Sequence, residues 1–437
     1  MKSQFRGGVH PADSKDTNKE AVKTLPLLEL YLVSLSQHIG SPAEPIVSAG
    51  DKVLKYQEIA KPTGFISASL HAPTSGTVKA IEPSPHPSGR PIPAIVIESD
   101  GEDREFDIST NSDPNLEKGP EVWNDMVKNA GIVGMGGAAF PTHVKLSPPD
   151  DKPIELMIAN GIECEPYLTA DHRLMLESPE LVAVGLRLTM EMVGAKKAII
   201  GVEANKPDAI ETFRSFDLPP DVEVAELPVM YPQGAEKQLI YALLGKEVPK
   251  GGLPMDVGVV VQNVGTLAAI CEAVTKGKPL VERIMTLGGS VPAGPGNYLA
   301  RIGTPLSDIV KQTGGMKGPA ARIVSGGPMM GQAMTSFESP VLKGTSGLLV
   351  FGPGEMKALN QRACVRCGAC VRVCPVSLMP QTLGNMVEWN VFDELEQNHI
   401  NDCIECGCCA YVCPSDRNMV QFIRQGKAEI ITRGQKG

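Results

Sequence analysis

Two short segments of the chain carry cysteines at a spacing that binds iron–sulfur clusters. The first, CVRCGACVRVCP, spans residues 364–375, and a near copy, CIECGCCAYVCP, spans residues 403–414. In each segment three cysteines are spaced three residues apart, and a fourth cysteine directly precedes a proline. Three such thiolates wrap one [4Fe-4S] cluster, and the fourth ligates the other cluster of a two-cluster module. We name these segments the first ladder and the second ladder, and they predict two [4Fe-4S] clusters.

The spacing also predicts which cysteines share a cluster. The predicted ligands of cluster 1 are Cys364, Cys367, Cys370 and Cys413. The predicted ligands of cluster 2 are Cys374, Cys403, Cys406 and Cys409. The alternatives are zinc knuckles or a disulfide framework, although zinc sites usually pair two ligands across a longer gap. Cys408 interrupts the second ladder and is expected to be a spare thiol that faces away from the cluster.

Length and charge restrict the class of protein. A chain of 437 residues accommodates three or four domains, and a content of 45 Gly and 37 Pro indicates many turns. The formal net charge of −9 argues against nucleic acid or an anionic membrane surface as a partner, and favours a redox partner with a basic face. The sequence contains neither an apolar run long enough to span a membrane nor an apolar secretory segment at its start. We therefore expect a soluble protein in a reducing, cytoplasmic setting, which suits iron–sulfur assembly.

Residues 40–100 alternate short β-branched runs with Gly- and Pro-containing turns, a pattern that predicts many short strands. Their arrangement resembles the biotinyl and lipoyl carrier modules, which present a modifiable lysine at a hairpin tip. Here Lys61 is followed directly by a proline and lacks methionine neighbours. We therefore expect a structural or docking module here, and covalent modification is the weaker alternative.

From about residue 118 the pattern changes to helices that alternate with strands. The segment PEVWNDMVKNAGI predicts an amphipathic helix, and strands are predicted at IELMIAN, KAIIGVEA, VEVAEL and VGVVVQN. The segment GIECEPYLTADHR is predicted as a polar loop. Strands separated by helices of this length form an α/β layer with a mainly parallel sheet, whose ligands bind at the carboxyl ends of the strands.

A glycine-rich segment, GMGGAAFPT, precedes the first of these strands. It differs from the dinucleotide pattern G-x-G-x-x-G, and an isolated glycine-rich segment is often only a turn. Three of its glycines, Gly134, Gly136 and Gly137, could nevertheless present backbone N–H groups to a phosphate. Lys145 follows with a positive charge, and Asn160 ends the next strand.

Four segments together carry a family resemblance, in order and spacing: GMGGAAFPTHVK, NGIECEP, YPQGAEKQLI and QNVGTLAAI. They resemble the flavin-binding subunit of respiratory complex I, a family that binds FMN and NADH in one cavity. The whole chain, including the ladders, resembles the C subunits of Rnf-type ion-translocating ferredoxin:NAD oxidoreductase complexes. The resemblance covers essentially the full length.

The resemblance implies two sets of site residues. Those implied to contact FMN are Gly134, Gly136, Gly137, Lys145, Asn160, Glu163, Gln262, Asn263 and Thr266. Those implied to contact NADH are Phe140, Glu165 and Glu236. The alternative for each glutamate is a solvated or ion-paired side chain, and for Phe140 a core aromatic. No side chain is predicted as a catalytic acid or nucleophile, because FMN and the clusters carry the chemistry.

Four residues depart from the family pattern. Met135 replaces an arginine, Ile162 an aspartate, and Ala235 a glutamate. Cys164 stands where the family has serine, and we expect it to be a packing residue, with a redox-sensitive thiol as the alternative. A pocket with these changes is expected to keep FMN while altering the flavin potential or the affinity for NADH.

The implied architecture is multidomain, combining α/β and α+β units. Residues 1–112 would hold a lipoyl-like barrel-sandwich hybrid module, and residues 113–280 a Rossmann-like FMN/NADH-binding domain. Residues 281–352 would form a β-grasp module of the SLBB type, which is expected to be a packing module. Residues 353–437 would form a ferredoxin-like α-helical domain with two [4Fe-4S] clusters.

The implied function is hydride exchange between NAD(H) and FMN, with single electrons relayed through the two clusters. The expected partners are the other subunits of a membrane complex, including an iron–sulfur subunit that receives electrons from ferredoxin. Membrane contact would be indirect, which places the chain peripherally on the cytoplasmic face of the cell membrane. Two alternatives stay open: a diaphorase subunit of a soluble hydrogenase or formate dehydrogenase, and a cluster-only electron wire without flavin.

Overall fold

Two small antiparallel sheets with a shared apolar core form the first part of the protein. The computed structural model describes residues 4–355 and 360–434. The first strands are β1 (Val22–Thr24), β2 (Leu30–Ser34), β3 (Glu44–Pro45), β4 (Lys52–Val53), β5 (Glu58–Lys61), β6 (Leu70–His71), β7 (Gly76–Ser84) and β8 (Ile92–Ser99). One sheet has the order β2-β8-β7-β4 and the other β3-β5-β6. Val33, Ile59 and Ile95 are among the buried residues that join them.

A parallel sheet surrounded by helices follows. Its strands are β9 (Leu156–Gly161), β10 (Lys197–Glu203), β11 (Val222–Leu227) and β12 (Val259–Asn263). Its helices are α1 (Pro120–Asn129), α2 (Thr142–Lys145), α3 (Ala170–Glu177), α4 (Pro179–Val193), α5 (Pro207–Ser215), α6 (Glu236–Leu244) and α7 (Val264–Lys276). The strand order is β11-β10-β9-β12, and every pair is parallel. The order reverses between β9 and β12, which is the position where such sheets bind ligands.

The predicted polar loop after β9 is wrong for its last four residues. Helix α3 begins at Ala170, inside that segment, and its Leu174 and Met175 are buried. The Glu163 carboxylate accepts hydrogen bonds from the first N–H groups of α3, and this long-range cap stabilises a helix whose own sequence gives a weak signal.

A mixed six-stranded sheet forms the next unit. Its strands are β13 (Glu282–Gly288), β14 (Gly296–Arg301), β15 (Arg322–Ser325), β16 (Gln332–Met334) and β17 (Gly347–Phe351), with helix α8 (Leu306–Gln312) packed against them. Strand β1 completes the sheet order β1-β14-β13-β17-β15-β16. The amino-terminal segment therefore belongs in space to a unit that lies more than 250 residues further along the chain, as the pairing of Val22 with Asn297 shows.

Three helices of four to nine residues and one of sixteen lie within and beside the two ladders. They are α9 (Ala369–Arg372), α10 (Pro380–Glu388), α11 (Cys408–Tyr411) and α12 (Met419–Gly434). Among the described residues, no helix combines the length and apolar composition that crossing a membrane requires. Trp389 directly follows the end of α10 and is 68% exposed, whereas Phe392 and Leu395 further along the chain are buried.

One buried lysine connects three of these units. Lys343, which is 1% exposed, donates from Nζ to the carbonyl oxygen of Ser69 at 2.8 Å and to that of Gly131 at 2.7 Å. Such bonds tie the small antiparallel sheets and the α/β layer to the segment before β17. The units therefore pack closely against one another, and the domain boundaries given above stay predictions.

The crossing of α4 and α7 gives a first testable prediction. A Cβ atom at Gly185 would lie 2.0 Å from the carbonyl oxygen of Leu267, so the two helices would have to separate. We expect Gly185→Ala to lower the free energy of unfolding by about 1–3 kcal/mol, the usual cost of overpacking. The measurement is the melting temperature by circular dichroism.

The matched control is Gly318→Ala, where an added Cβ meets no atom within 4 Å. Alanine there only reduces the freedom of the unfolded chain, so we expect no loss of stability. Equal melting temperatures for the Gly185 and Gly318 variants would contradict the close helix contact.

Candidate redox-cofactor sites

The candidate flavin residues meet at the point where the strand order reverses. Asn160 on β9 and Asn263 on β12 are register partners at the carboxyl ends of their strands. The glycine-rich loop lies against them, because a Cβ at Gly136 would be 2.8 Å from Asn263 Nδ2. Met135 N–H donates to Thr266 Oγ1 at 2.9 Å and holds the loop on α7. The structure therefore brings residues from three of the four sequence segments into one place.

Two features of this place suit a polar ligand such as FMN. Gln262 is 3% exposed, and its Nε2 has no hydrogen-bond partner among the described residues. A buried donor without a partner is costly, so an acceptor from a ligand would relieve it. Gly137 is exposed, and a Cβ there would meet no atom within 4 Å. The residues present therefore fit a flavin phosphate and ring.

Lys145 links the candidate flavin and nicotinamide residues. Its Nζ forms an ion pair with the Glu236 carboxylate at the start of α6, and both side chains are half-buried. The pair would place a cation and a carboxylate side by side at the edge of the site. Asn160 Nδ2 donates to the Gly234 carbonyl at 2.9 Å, which holds the loop before α6 against the end of β9.

Glu163 makes contacts within the protein that the sequence does not suggest. Its Oε1 accepts from Asp171 N–H at 2.8 Å and its Oε2 from His172 N–H at 3.2 Å. Its backbone φ is 24°, a conformation that is strained for a residue with a side chain. Both oxygens are used to cap α3, and the role of Glu163 toward flavin stays a prediction.

Glu165 is engaged with the second glycine-rich loop, SGGPMMGQAM, residues 325–334. Its two carboxylate oxygens accept from Met329 N–H at 2.9 Å and from Met330 N–H at 2.8 Å. Burial raises the pKa of Glu165, and the two N–H groups oppose that rise. The Phe140 carbonyl accepts from Gly134 N–H at 2.8 Å, within the first glycine-rich loop. The contact with nicotinamide nucleotide predicted for both residues stays a prediction.

Lys15 is a residue that sequence reasoning missed. Its Nζ donates to the carbonyl oxygens of Glu163 at 2.8 Å, Glu165 at 2.8 Å and Leu168 at 2.6 Å. One ammonium group thus fixes the backbone of the loop that follows β9. The partners are separated by about 150 residues, and nothing in the sequence near Lys15 signals the contact.

Cys164 has the surroundings of a packing residue. Its Sγ accepts from Gly234 N–H at 3.4 Å. Burial raises the pKa of this thiol to about 12, helped by the nearby Glu203 carboxylate. A thiol of that pKa is protonated at neutral pH and is a weak nucleophile.

The second ladder encloses a cavity together with one cysteine of the first. The cysteines that line this cavity include Cys374, Cys403, Cys406 and Cys409. No group of three or more His, Cys, Asp or Glu side chains in residues 4–355 and 360–434 is placed to hold a metal ion. The four thiols therefore line a space and do not converge on a point. Burial raises the pKa of Cys403 to about 11, and the neighbouring Cys406 and Cys374 add to the rise, while Lys427 opposes it.

The two ladders also approach each other on their other side. Burial raises the pKa of Cys370, and Cys413 from the second ladder is close enough to add to the effect. Cys370 and Cys409 pack together with Met419 of α12. Cys367 is exposed at the outer edge of the first ladder.

The second ladder packs directly on the α/β layer. Tyr231 donates from its hydroxyl to the Cys406 carbonyl at 2.8 Å, and Cys408 Sγ donates to the Tyr231 carbonyl at 3.9 Å. Val9 pairs with Tyr231 in a β-bridge on the same segment. Cys408 is fully buried in this contact, and the expectation that it is a spare thiol facing away from the cluster stays a prediction. Its small side chain allows the second ladder to approach the loop before α6.

These sites define a class of protein. A parallel sheet with a glycine-rich loop at its switch point, joined to a two-ladder domain, is the arrangement of a flavin-binding iron–sulfur electron-transfer subunit. Family models match four successive segments. They are the RnfC barrel sandwich hybrid domain at residues 3–102, the Nuo51 FMN-binding domain at 127–272, the SLBB domain at 284–333 and the 4Fe-4S dicluster domain at 363–417.

Relatives along the whole chain give the family. The C subunit of the proton-translocating ferredoxin:NAD(+) oxidoreductase complex of Clostridium ljungdahlii is 45% identical, over 100% of this chain and 96% of that protein. The C subunit of the Na(+)-translocating complex of Acetobacterium woodii is 46% identical, over 99% of this chain and 98% of that protein. The C subunit of the ion-translocating oxidoreductase complex of Pseudomonas aeruginosa is 43% identical, over 99% of this chain and 56% of that longer protein. The chain belongs to this family, the C subunits of Rnf-type complexes.

The comparisons confirm the predicted fold class and the predicted cofactor types. The barrel-sandwich hybrid, FMN-binding, SLBB and two-cluster units occur in the expected order. FMN and two [4Fe-4S] clusters are the cofactors that these domains bind. The individual contact residues stay predictions.

Asp171, another residue missed from the sequence, gives a prediction on pH. Its Oδ2 accepts from Asn263 Nδ2 at 2.7 Å, and burial together with Glu163 raises its pKa from 3.8 to about 7, while Arg283 and Lys206 oppose the rise. The folded state therefore keeps a proton that the unfolded chain releases, and the stability from this proton is lost as the pH rises through about 7.

We expect Asp171→Asn to raise the melting temperature above that of the wild type. The increase should be a few degrees larger at pH 8 than at pH 5, because a change of 1 kcal/mol in the free energy of unfolding shifts the melting temperature of a large domain by about 2–4 °C. Melting curves by circular dichroism between pH 5 and 8 measure the difference. The control is Glu180→Gln, an exposed carboxylate at the start of α4. Parallel profiles for Asp171→Asn and the wild type would rule out the raised pKa.

Proposed function

We propose that this chain is the NAD(H)-reactive subunit of a membrane-bound, ion-translocating ferredoxin:NAD⁺ oxidoreductase. It exchanges a hydride between NAD(H) and FMN and passes single electrons to or from partner subunits. NAD(H) exchanges two electrons together as a hydride, whereas a [4Fe-4S] cluster exchanges one electron at a time. Bound FMN supplies the chemistry that connects the two, because a flavin can exchange either one or two electrons. The observation that carries the proposal is the packing of the second ladder against the loop of the candidate flavin site, through Tyr231 and Cys406.

The flavin residues are proposed from their common location. Gly134, Gly136 and Gly137 would surround the phosphate and ring, and Lys145 would balance phosphate charge. The unpartnered amide of Gln262 would donate to the ligand. The remaining residues proposed to complete the site are Asn160, Glu163, Asn263 and Thr266.

The nicotinamide nucleotide is proposed to lie beside this site, against Phe140, Glu165 and Glu236. These side chains would bind and orient NAD(H), and the reaction needs no acid or nucleophile from the protein. The proposal is supported by the two N–H groups that bind the Glu165 carboxylate and by the ion pair of Glu236, which would hold both side chains in place before a ligand arrives. Such preorganisation favours a near-attack arrangement of the nicotinamide.

The cluster ligands are proposed as two mixed sets. Cys374, Cys403, Cys406 and Cys409 would hold one cluster, supported by the cavity that all four line. The second set joins cysteines of both ladders, supported by the closeness of Cys370 and Cys413. This set is Cys364, Cys367, Cys370 and Cys413.

The wider setting is also a proposal. The chain would lie peripherally on the cytoplasmic face of the membrane and contact it only through partner subunits. One partner would be an iron–sulfur subunit that receives electrons from ferredoxin. The proposed domains are residues 1–112, 113–280, 281–352 and 353–437.

Gly137 gives a direct test of the flavin site. The space beside it is open, so a methyl group there should leave the folded protein intact and obstruct the ligand. Overpacking costs about 1–3 kcal/mol, so we expect Gly137→Ala to weaken FMN binding by about 5- to 150-fold. Titration of the apoprotein with FMN, followed by flavin fluorescence, measures the dissociation constant.

Gly318→Ala is again the matched control and should bind FMN as the wild type does. The melting temperatures of both apoproteins show whether either variant has lost stability. An unchanged FMN affinity in Gly137→Ala would place the flavin elsewhere.

Anaerobic titration of the cluster-loaded protein with NADH tests the function. We expect NADH to bleach both the flavin band and the cluster band in visible absorption, since one chain would accept the hydride and divide the electrons. Identification of the released flavin as FMN completes the measurement. Clusters that dithionite reduces and NADH does not, with no FMN released, would instead support the cluster-only wire.

A further inference from the structure

The two ladders are near copies in sequence, yet they differ in their surroundings. The second ladder is covered by the α/β layer at Tyr231 and by the loop at Met329, whose carbonyl oxygen would lie 3.0 Å from a Cβ at Gly407. The first ladder contacts α6 at its far end, where Gln238 donates to the Pro375 carbonyl at 3.3 Å, and the described residues provide no such cover at Cys367. Cys367 is exposed, whereas each of the other seven predicted ligands is buried or half-buried. The first ladder is therefore the side of the cluster domain that an outside molecule can reach.

Three arginines surround this exposed edge. Arg362, Arg366 and Arg372, which we name the arginine rim, are all exposed. None of their guanidinium groups forms an ion pair with a carboxylate of the described residues. Arg362 and Arg372 donate only to backbone carbonyls, at Pro414 and Cys367. The rim is thus a local concentration of positive charge on a chain whose formal net charge is −9.

The equivalent position in the second ladder carries the opposite charge. Glu405 stands between two cysteines of CIEC, as Arg366 does in CVRC. Glu405 accepts from Arg424 at 2.8 Å and from Lys427 at 2.9 Å, so its charge is neutralised within the protein. Arg366 has no such partner among the described residues. The charge of the first ladder is therefore available to a binding partner.

An apolar residue lies inside the rim. Val365 is 66% exposed and precedes Arg366, next to the exposed Cys367. An apolar centre within a charged edge is the usual composition of an interface that forms and dissociates. The overall negative charge predicts a partner with a basic face, whereas the local charge at this edge favours an acidic one.

We propose that the arginine rim docks an iron–sulfur protein through an acidic face, and that electrons enter or leave the chain at the first ladder. The inference rests on the proposed function and specifies the location and the charge of the partner contact. Docking at Val365 and Cys367 brings the partner's cluster to the outer edge of the domain. A single electron crosses there, and no bond or proton changes. The second ladder faces the flavin site and completes the relay.

The test measures binding of an acidic two-[4Fe-4S] ferredoxin, used as the probe, to the full chain loaded with FMN and clusters. Isothermal titration calorimetry under anaerobic conditions at low and high salt gives the dissociation constants. We expect Arg366→Glu to weaken binding about tenfold or more at low salt, because like charges across an interface repel each other. Arg366→Gln should fall between this variant and the wild type. High salt should reduce all of these differences.

The matched control is Arg187→Glu, an exposed residue of α4 that changes the net charge by the same amount. We expect its affinity for the probe to equal that of the wild type. Iron content per chain and bleaching by dithionite show that each variant keeps its clusters. Equal weakening by Arg187→Glu and Arg366→Glu would overturn the proposal, since overall charge would then explain the binding.

Two further outcomes would also overturn it. One is an Arg366→Glu variant that holds its clusters and binds the probe as the wild type does. The other is a rim that binds vesicles containing phosphatidylglycerol and does not bind the ferredoxin, which would make it a membrane contact. Neither result changes the outcome expected for the NADH titration. A failure of NADH to bleach flavin and clusters would instead reject the proposed function, whether or not the rim binds the probe.

Discussion

The contact between Tyr231 and the second ladder is the constraint on which the rest of the structure depends. An electron-transfer protein must hold its flavin site and its nearest cluster at a fixed separation, because its task is to position cofactors. Here the Tyr231 hydroxyl donates to the Cys406 carbonyl, and the buried thiol of Cys408 lies against the same tyrosine. A buried hydrogen bond in an apolar contact is costly to break, so it fixes the orientation of the two domains.

The amino-terminal segment reinforces this junction. Gly8 N–H donates to the Val373 carbonyl of the first ladder, and Val9 pairs with Tyr231. Lys15 then fixes three carbonyl groups of the loop after β9, and strand β1 joins the β-grasp sheet. A single extended segment thus contacts the cluster domain, the candidate flavin site and the β-grasp unit. Removing it would release several contacts at once.

The ladders show how one sequence pattern acquires two roles. Both ladders turn through a left-handed glycine, Gly368 in the first and Gly407 in the second, before a short helix. The second packs on Tyr231 of the α/β layer, and its glutamate is neutralised by Arg424 and Lys427. The first keeps an exposed cysteine and free positive charge. The cluster domain therefore has an inner side and an outer side, and this direction comes from packing.

The sequence alone predicted FMN and the family through the resemblance of its motifs to known proteins. It predicted the two clusters from cysteine spacing and the parallel α/β layer from hydrophobic periodicity, which are local properties of the chain. It predicted Asn160 and Asn263 at the ends of their strands for the same reason. Only the tertiary structure decided the roles of Lys15, Glu163 and Asp171, since their partners are distant in the chain. It also decided which ladder is buried, because burial depends on neighbours that local sequence does not specify.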